Sequence, residues 1–359
     1  MNAVHLVVPE GIDDPSRVSG GNRYDREVCD ELRRLGWAVT EHAASGGWPP
    51  PSAAALNALA HTLDALPGGE LVIVDGLIAS GAAPVLVPRS ERLRLVVLVH
   101  MLFGGDAVPE DDELAVLARA RAVVTTSAWT RSRLLERYAL PPHRLYVCRP
   151  GAEPRPLSPP SADGSRLLCV GALGAHKGQD LLVDALARSA GLSWSCTLVG
   201  PLDRDPPFVA SLERRATAAG IADRLRLPGS RTGAALALEY CNSDVLVVPS
   251  RAETYGMVVT EALAAGLPVI ATEVGGLPEA VGATATGMPG LLVPPGDGRA
   301  LAAALTRWLT DADLRCRLRR AALRRRDRLP DWRTTGRGIS TVLSSVRAEP
   351  DLLEFRGTG

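Results

Sequence analysis

Val247-Val-Pro-Ser-Arg-Ala-Glu-Thr-Tyr-Gly-Met-Val-Val-Thr-Glu-Ala-Leu-Ala-Ala-Gly-Leu-Pro-Val-Ile-Ala-Thr-Glu-Val-Gly-Gly-Leu-Pro-Glu279 decides how the chain folds. An apolar strand ends at Pro249, which lacks the N–H that a central strand must donate. A loop follows and carries Glu253. A helix starts near Tyr255 and Gly256 and carries Glu261. A second apolar strand covers Pro268–Thr272, and a Gly-Gly turn then opens another helix at Glu279. Near-continuous Val/Leu/Ile strands separated by helices are the pattern of a parallel sheet covered on both faces.

The same rhythm runs outward in both directions. Strand-like runs at Arg166–Val170, Ser195–Val199, Arg224–Leu227, Asp244–Pro249 and Gly290–Val293 complete the second half. The first half offers Val4–Val8, Trp37–Thr40, Leu71–Val74, Arg94–His100, Ala122–Ser127 and Arg144–Cys148. Helical patterns fall between these, at Arg23–Leu35, Ala53–Ala65, Glu110–Ala120 and Trp129–Tyr138. Two such series predict two α/β domains, a natural division for 359 residues. Arg149–Ser165 has the Pro and Gly density of a linker. The expected boundaries are a first domain over 1–150, the linker over 149–165 and a second domain over 166–330. A helix over 331–348 is expected to pack back on the first domain. Leu314–Arg328 is crowded with arginine, yet Leu314, Leu318, Ala321 and Leu323 recur at helical spacing. It therefore reads as the solvated face of an amphipathic helix.

Composition narrows the function. Formal net charge is zero, which argues against a nucleic-acid partner. The six cysteines form no CxxC or Cys/His metal pattern, and several lie in apolar runs. They read as buried free thiols of a reducing cytoplasm. No apolar run reaches the roughly 18 residues of a membrane span, and Met1–Val8 is too short for a secretory signal.

Lys177 is the single lysine; every other cationic side chain is an arginine. It lies in Gly171-Ala-Leu-Gly-Ala-His-Lys-Gly178, directly after the apolar run Leu167–Val170 and before the helical pattern Asp180–Arg188. Strand, Gly-rich turn, cation and helix form the layout of an anion site. A compact point charge kept in an arginine-biased chain points to a place where a planar fork will not do. Glu253 and Glu261 stand eight residues apart, with Glu253 just ahead of the helix. Both are expected to face one cleft at the C-terminal edge of the sheet. Gly256-Met-Val258 opens that helix with free backbone N–H groups, suited to phosphate, while carboxylates suit sugar hydroxyls. Spacing alone would favour a capping Glu253 and a surface Glu261. Asp203-Arg-Asp205 precedes Pro206-Pro207 in a loop and is not read as a metal site.

These residues resemble a known family. Pro249-Ser250, Glu253, Gly256, Glu261-Ala262, Gly266, Pro268-Val269, Gly275-Gly276 and Glu279 fall in the order of the glutamate–seven residues–glutamate motif. That motif marks retaining glycosyltransferases of the GT-B fold, in particular glycosyltransferase family 4, also described as glycosyl transferases group 1. Val170–Gly178 resembles the family's phosphate loop, and Gly290–Asp297 its later strand and turn. Ser19-Gly-Gly-Asn22 resembles its glycine-glycine loop. The likeness is loose in the first half and tight from Val170 to Asp297. One departure stands out: the family usually has arginine at Ala172, for which His176 or Arg231 could compensate.

The resemblance implies two Rossmann-like domains with parallel sheets facing across a cleft, the acceptor on the first and a nucleoside-diphosphate sugar on the second. It implies a retaining, metal-independent hexosyltransferase without a cofactor. Glu261 would accept from the ribose and Glu253 from the donor sugar. Lys177 and the amides near Gly21 and Gly256 would hold the diphosphate; Gly20, Gly171, Gly178, Arg231, Tyr255, Met257 and Val258 would also line the donor site, and His100, Lys177 and Glu253 would be its catalytic residues. His100 would lie beside the donor sugar. Retention would follow from front-face attack, with a proton passing to the leaving phosphate. The acceptor is open: a small molecule, a glycan or a lipid, with Glu41–Pro51 and Leu102–Pro109 as candidate walls. Arg23, Arg26, Arg33 and Arg34 could meet anionic lipid at the inner face of a membrane, or simply be solvated. A phosphorylase or epimerase on the same frame, or a degenerate sugar-nucleotide binder, stand as alternatives.

Overall fold

A computed structural model describes residues 2–14, 19–102, 109–285 and 287–349. The chain divides into two compact units, one of residues 1–151 with 330–359 and one of residues 152–329. Each is a six-stranded parallel sheet with helices on both faces.

The first unit contains β1 (Ala3–Pro9), β2 (Ala38–Ala44), β3 (Leu71–Asp75), β4 (Arg94–Val99), β5 (Ala122–Thr125) and β6 (Leu145–Val147). They lie in the order β2-β1-β3-β4-β5-β6. The central strands are buried on both sides, as their unbroken apolar runs require; Val72, Ile73 and Val74 are wholly enclosed. The first helix begins earlier than its apolar spacing indicates, at Gly20 and not Arg23. Ser19 caps it, its hydroxyl accepting from the Asn22 N–H at 3.0 Å. Two short helices, Gly76–Gly81 and Ala83–Arg89, were not legible. Pro84 sits in the first turn of the second, where proline is tolerated, but Pro88 lies inside it and removes a backbone donor, which obscures the pattern. The helix Trp332–Ala348 belongs to this unit. Trp37 Nε1 donates to Ser340 at 2.9 Å and the Thr335 hydroxyl to the Arg149 carbonyl at 2.7 Å.

The second unit contains β7 (Arg166–Val170), β8 (Ser195–Val199), β9 (Leu225–Gly229), β10 (Val245–Val248), β11 (Val269–Thr272) and β12 (Gly290–Val293), in the order β12-β11-β10-β7-β8-β9. The arginine-rich segment is the helix Ala312–Arg326, with Leu314, Leu318 and Ala321 buried. The Pro-rich stretch before β7 is fastened to this unit. The Ser158 hydroxyl bonds the Cys241 and Ser243 carbonyls, and Ser161 bonds Asp244 at 2.7 Å. Proline density here records an irregular path and not a free one.

Chain order reverses once in each sheet, between β1 and β3 in the first unit and between β7 and β10 in the second. At such a point the connections leave to opposite faces and open a crevice beyond the strands' carboxyl ends.

Candidate active site

In the second unit the loops after β7 and β10 meet at that reversal. The Arg251 N–H donates to the His176 carbonyl at 2.8 Å, and its guanidinium grips Asp180 at 2.8 and 2.7 Å. Gly178 has φ +70°, and a β-carbon there would lie 2.1 Å from the Pro249 carbonyl oxygen. Gly275 has φ +59°, and a β-carbon would lie 1.7 Å from the Glu253 carbonyl oxygen. Both positions need glycine for conformation and for room. The carbonyl so enclosed accepts from the Gly276 N–H at 3.0 Å. The loop carrying Glu253 is thus clamped from both sides.

Lys177 and Glu253 are brought into direct contact. Lys177 Nζ lies 2.6 Å from Glu253 Oε2, with the side chains 25 % and 13 % exposed. The pair is shielded yet reachable, so an incoming anion can compete for the ammonium. Gly256 (φ +89°) precedes the helix Met257–Ala264, whose first turn has no side-chain cap. Tyr255 beside it is buried, while Met257 and Val258 are half-buried. The Gly171 N–H is engaged by the Val199 carbonyl at 2.9 Å.

Glu261 has a different environment. It is buried, accepts from Tyr240 Oη at 2.7 Å and lies 3.7 Å from Arg155 Nη2. The Arg155 guanidinium stacks over the Tyr240 ring at 4.9 Å. The eight-residue spacing therefore gives the two carboxylates separate partners. Arg155 lies in the stretch that the sequence marks only as linker; a charged residue in a Pro-rich run carries no signal of such a partner. Arg231 bonds the Ser230 carbonyl and lies 4.0 Å from Glu239. At His176, burial, the largest influence, and Lys177 both lower the imidazole's pKa. Gln179 occupies the loop interior instead, donating to the Ala172 carbonyl at 3.1 Å. Asp205 caps the helix Pro206–Ala218 through the Phe208 N–H at 3.1 Å.

The reversal in the first unit gathers His100, Asp25 and Asp75. His100 Nε2 is 2.6 Å from Asp25 Oδ1 and 3.3 Å from Asp75 Oδ2. Asp25 lies on the buried face of the helix Gly20–Arg34; Asp75 ends β3 and accepts from the Leu77 N–H at 2.6 Å. Both are buried, and the His100 side chain is 13 % exposed. Burial and the nearby Asp75 push the Asp25 carboxyl up to about 8, against the pull of His100. Burial alone would lower the His100 imidazole, but Asp25 and Asp75 outweigh it and push it up to about 10. Burial raises Asp75 too, but His100, Asp25 and the Leu77 N–H hold it below the usual carboxylate range. Gly21 sits beside this ring, its β-carbon position 3.4 Å from His100 Cδ2. Sequence reading missed both aspartates.

On the first helix Arg26 pairs with Asp13 and Glu41, Arg33 with Glu41, and Arg34 with Glu31. No helix among the described residues is long and apolar enough to cross a membrane. Of the candidate wall Leu102–Pro109, residues 103–108 lie outside the described residues.

Residues 157–325 match the family model described as glycosyl transferases group 1. D-inositol 3-phosphate glycosyltransferase 1 of Catenulispora acidiphila is 31 % identical over 337 residues, 83 % of this chain and 77 % of that protein. The Salinispora tropica D-inositol 3-phosphate glycosyltransferase is 32 % identical over 66 % of this chain, but the match spans 53 % of that protein. Among solved structures, sucrose-phosphate synthase from Thermosynechococcus elongatus superposes with a TM-score of 0.77 at 23 % identity, covering 97 % of this chain and 100 % of that one. Anabaena HepE, determined with UDP-glucose, gives 0.77 at 18 % identity, covering 96 % and 100 %. With two parallel α/β units of GT-B type and relatedness over most of its length, the chain belongs to the glycosyl transferases group 1 and is a glycosyltransferase.

Proposed function

We propose that the protein moves a hexosyl group from a UDP- or GDP-linked sugar to a hydroxyl acceptor, with retention at the anomeric carbon and without a metal. The observation that carries this reading is the Lys177–Glu253 pair at the chain reversal of the second unit. Breaking the anomeric C–O bond leaves charge on a diphosphate, and stabilising that charge is the main electrostatic task. Lys177 exchanges its carboxylate partner for the phosphate and is assisted by the uncapped helix N-terminus at Gly256, Met257 and Val258. Gly171, Gly178 and Tyr255 shape this floor, and Arg231 is assigned to the same donor. Glu253, released by the exchange, accepts from the sugar's hydroxyls. Glu261, braced by Tyr240 and Arg155, accepts from the ribose. Gly20, Gly21 and His100 of the first unit are assigned to the donor's phosphate and sugar end. The acceptor belongs to the first unit. The relatives' names favour a phosphorylated polyol, and HepE with UDP-glucose supports a UDP-sugar donor.

The test is a donor panel with release of nucleoside diphosphate as readout, in EDTA and in Mg²⁺. Equal turnover in both, with an α-linked product from an α-linked donor by NMR, is expected. Activity that vanishes in EDTA and returns with Mg²⁺, or inversion at the anomeric carbon, contradicts the reading.

A further inference from the structure

Two carboxylates buried within reach of one ring nitrogen need a positive partner. Asp25 and Asp75 both approach His100 Nε2, at 2.6 and 3.3 Å. The ring is edged by Tyr24 at 5.0 Å, whose hydroxyl donates to the Cys148 carbonyl at 2.8 Å. The titratable groups acting on this ring are Asp25 and Asp75, with Tyr24 at its edge and Cys148 behind Tyr24. Burial raises the Tyr24 phenol well above its usual range and the Cys148 thiol to about 11, so both stay neutral. The second carboxylate oxygen of Asp25 is buried and receives no hydrogen bond, which disfavours its charged form, and as an acid Asp25 can share its proton with Asp75. The cluster then holds one imidazolium, one carboxylate and one carboxylic acid, and is neutral overall. Like carboxylates this close do not both ionise without compensation.

We propose that Asp25 and Asp75 are positioning residues for His100: they bind its ring as a cation and commit Nε2 to the protein interior. The backbone supports this. Asp75 is fixed by the Leu77 N–H, and Asp25 is carried on a helix whose start packs against the same ring through Gly21. His100 then acts on the donor as a fixed charge, not as a general base through Nε2. This rests on the placement of His100 beside the donor, whereas the ring's charge state stands independently of any reaction.

The test uses the full-length protein with ¹⁵N-labelled histidine, His100 being assigned from the spectrum of His100→Gln. The wild-type ring is expected to give imidazolium nitrogen shifts from pH 6 through pH 9. Asp75→Asn is expected to lower the ring's proton affinity at least tenfold, with Asp25→Asn shifting it in the same direction. In kinetics, kcat in Asp75→Asn is expected to fall with little change in donor KM, and its alkaline limb to move down by at least one pH unit. Asp25→Asn is isosteric and keeps a readable spectrum if Asp75→Asn fails to fold. A neutral wild-type ring at pH 7, a ring titration unmoved in both variants, or signals of a metal-bound ring abolished by a chelator would overturn the proposal. An imidazolium found in a protein that transfers no sugar would sustain it and sink the proposed function instead.

Discussion

Both units wind a parallel sheet in two directions and so make the same kind of crevice, yet they fill it with opposite chemistry. In the second unit the reversal between β7 and β10 brings together a cation and an anion, Lys177 and Glu253, partly open to solvent. In the first, the reversal between β1 and β3 holds two carboxylates and a histidine, almost closed. An accessible ion pair is weakly stabilising and easily exchanged for a ligand. A buried charge cluster exchanges nothing cheaply, because removing any member strands the others in low dielectric. Topology makes the crevice; burial decides whether it binds something or holds itself rigid.

Four changes sharpen or break this contrast. The largest effect belongs to the closed cluster. His100→Ala leaves the buried carboxylates without their cation and is expected to cost about 3–5 kcal/mol of stability in chemical denaturation. A loss below about 1 kcal/mol would mean that the cluster relaxes into solvent. Lys177→Arg comes next. It keeps the charge but puts a planar fork where the Gly178 turn abuts the Pro249 carbonyl. Turnover is expected to fall on the order of 10²-fold with the fold intact by circular dichroism. Near-full turnover would remove the argument from the single lysine.

The two glutamates follow, at roughly tenfold each, the scale of one lost hydrogen bond to a charged group at about 1.5–3 kcal/mol. Glu261→Gln is expected to raise donor KM more than it lowers kcat, because a ribose contact is the same in ground and transition states. Glu253→Gln is expected to lower kcat with less effect on KM. Reversed profiles would exchange the two roles.

The last contrast is a slope. Folded His100 titrates near 10, above the ordinary histidine value of about 6.5, so the native state holds an extra proton between them. Its contribution is fully present below about pH 6.5 and is lost as pH rises through about 10. Asp25, raised to about 8, acts in the same direction. Unfolding free energy measured at pH 7 and pH 9.5 is expected to fall more in the wild type than in Asp25→Asn or His100→Gln. Equal slopes would show that the cluster carries no proton of its own.

The strands were legible because buried parallel strands are continuous apolar runs, and each of the twelve expected runs overlaps a strand. Helix starts were less legible where a cap, not apolar spacing, sets them, as at Ser19. Within the candidate site, Lys177 and Glu253 announced themselves through composition and flanking glycines. Their direct contact did not, because it joins loops 76 positions apart. Asp25 left a trace that could have been read: it is a charge among Tyr24, Val28, Cys29 and Leu32 on the inward face of an amphipathic helix. Asp75 left another, ending a strand that is otherwise Leu-Val-Ile-Val. Neither trace names its partner, because the contact with His100 forms only when three separate connections meet at one sheet edge.

The donor's diphosphate is assigned, as proposed above, to the Lys177 site at the reversal between β7 and β10. Calorimetric titration of UDP and of GDP into the wild type and Lys177→Ala tests it most directly. Binding of at least one nucleotide by the wild type is expected, weakened tenfold or more in the variant and weakened by added salt. Equal affinity in the two proteins, with the variant folded, would contradict it.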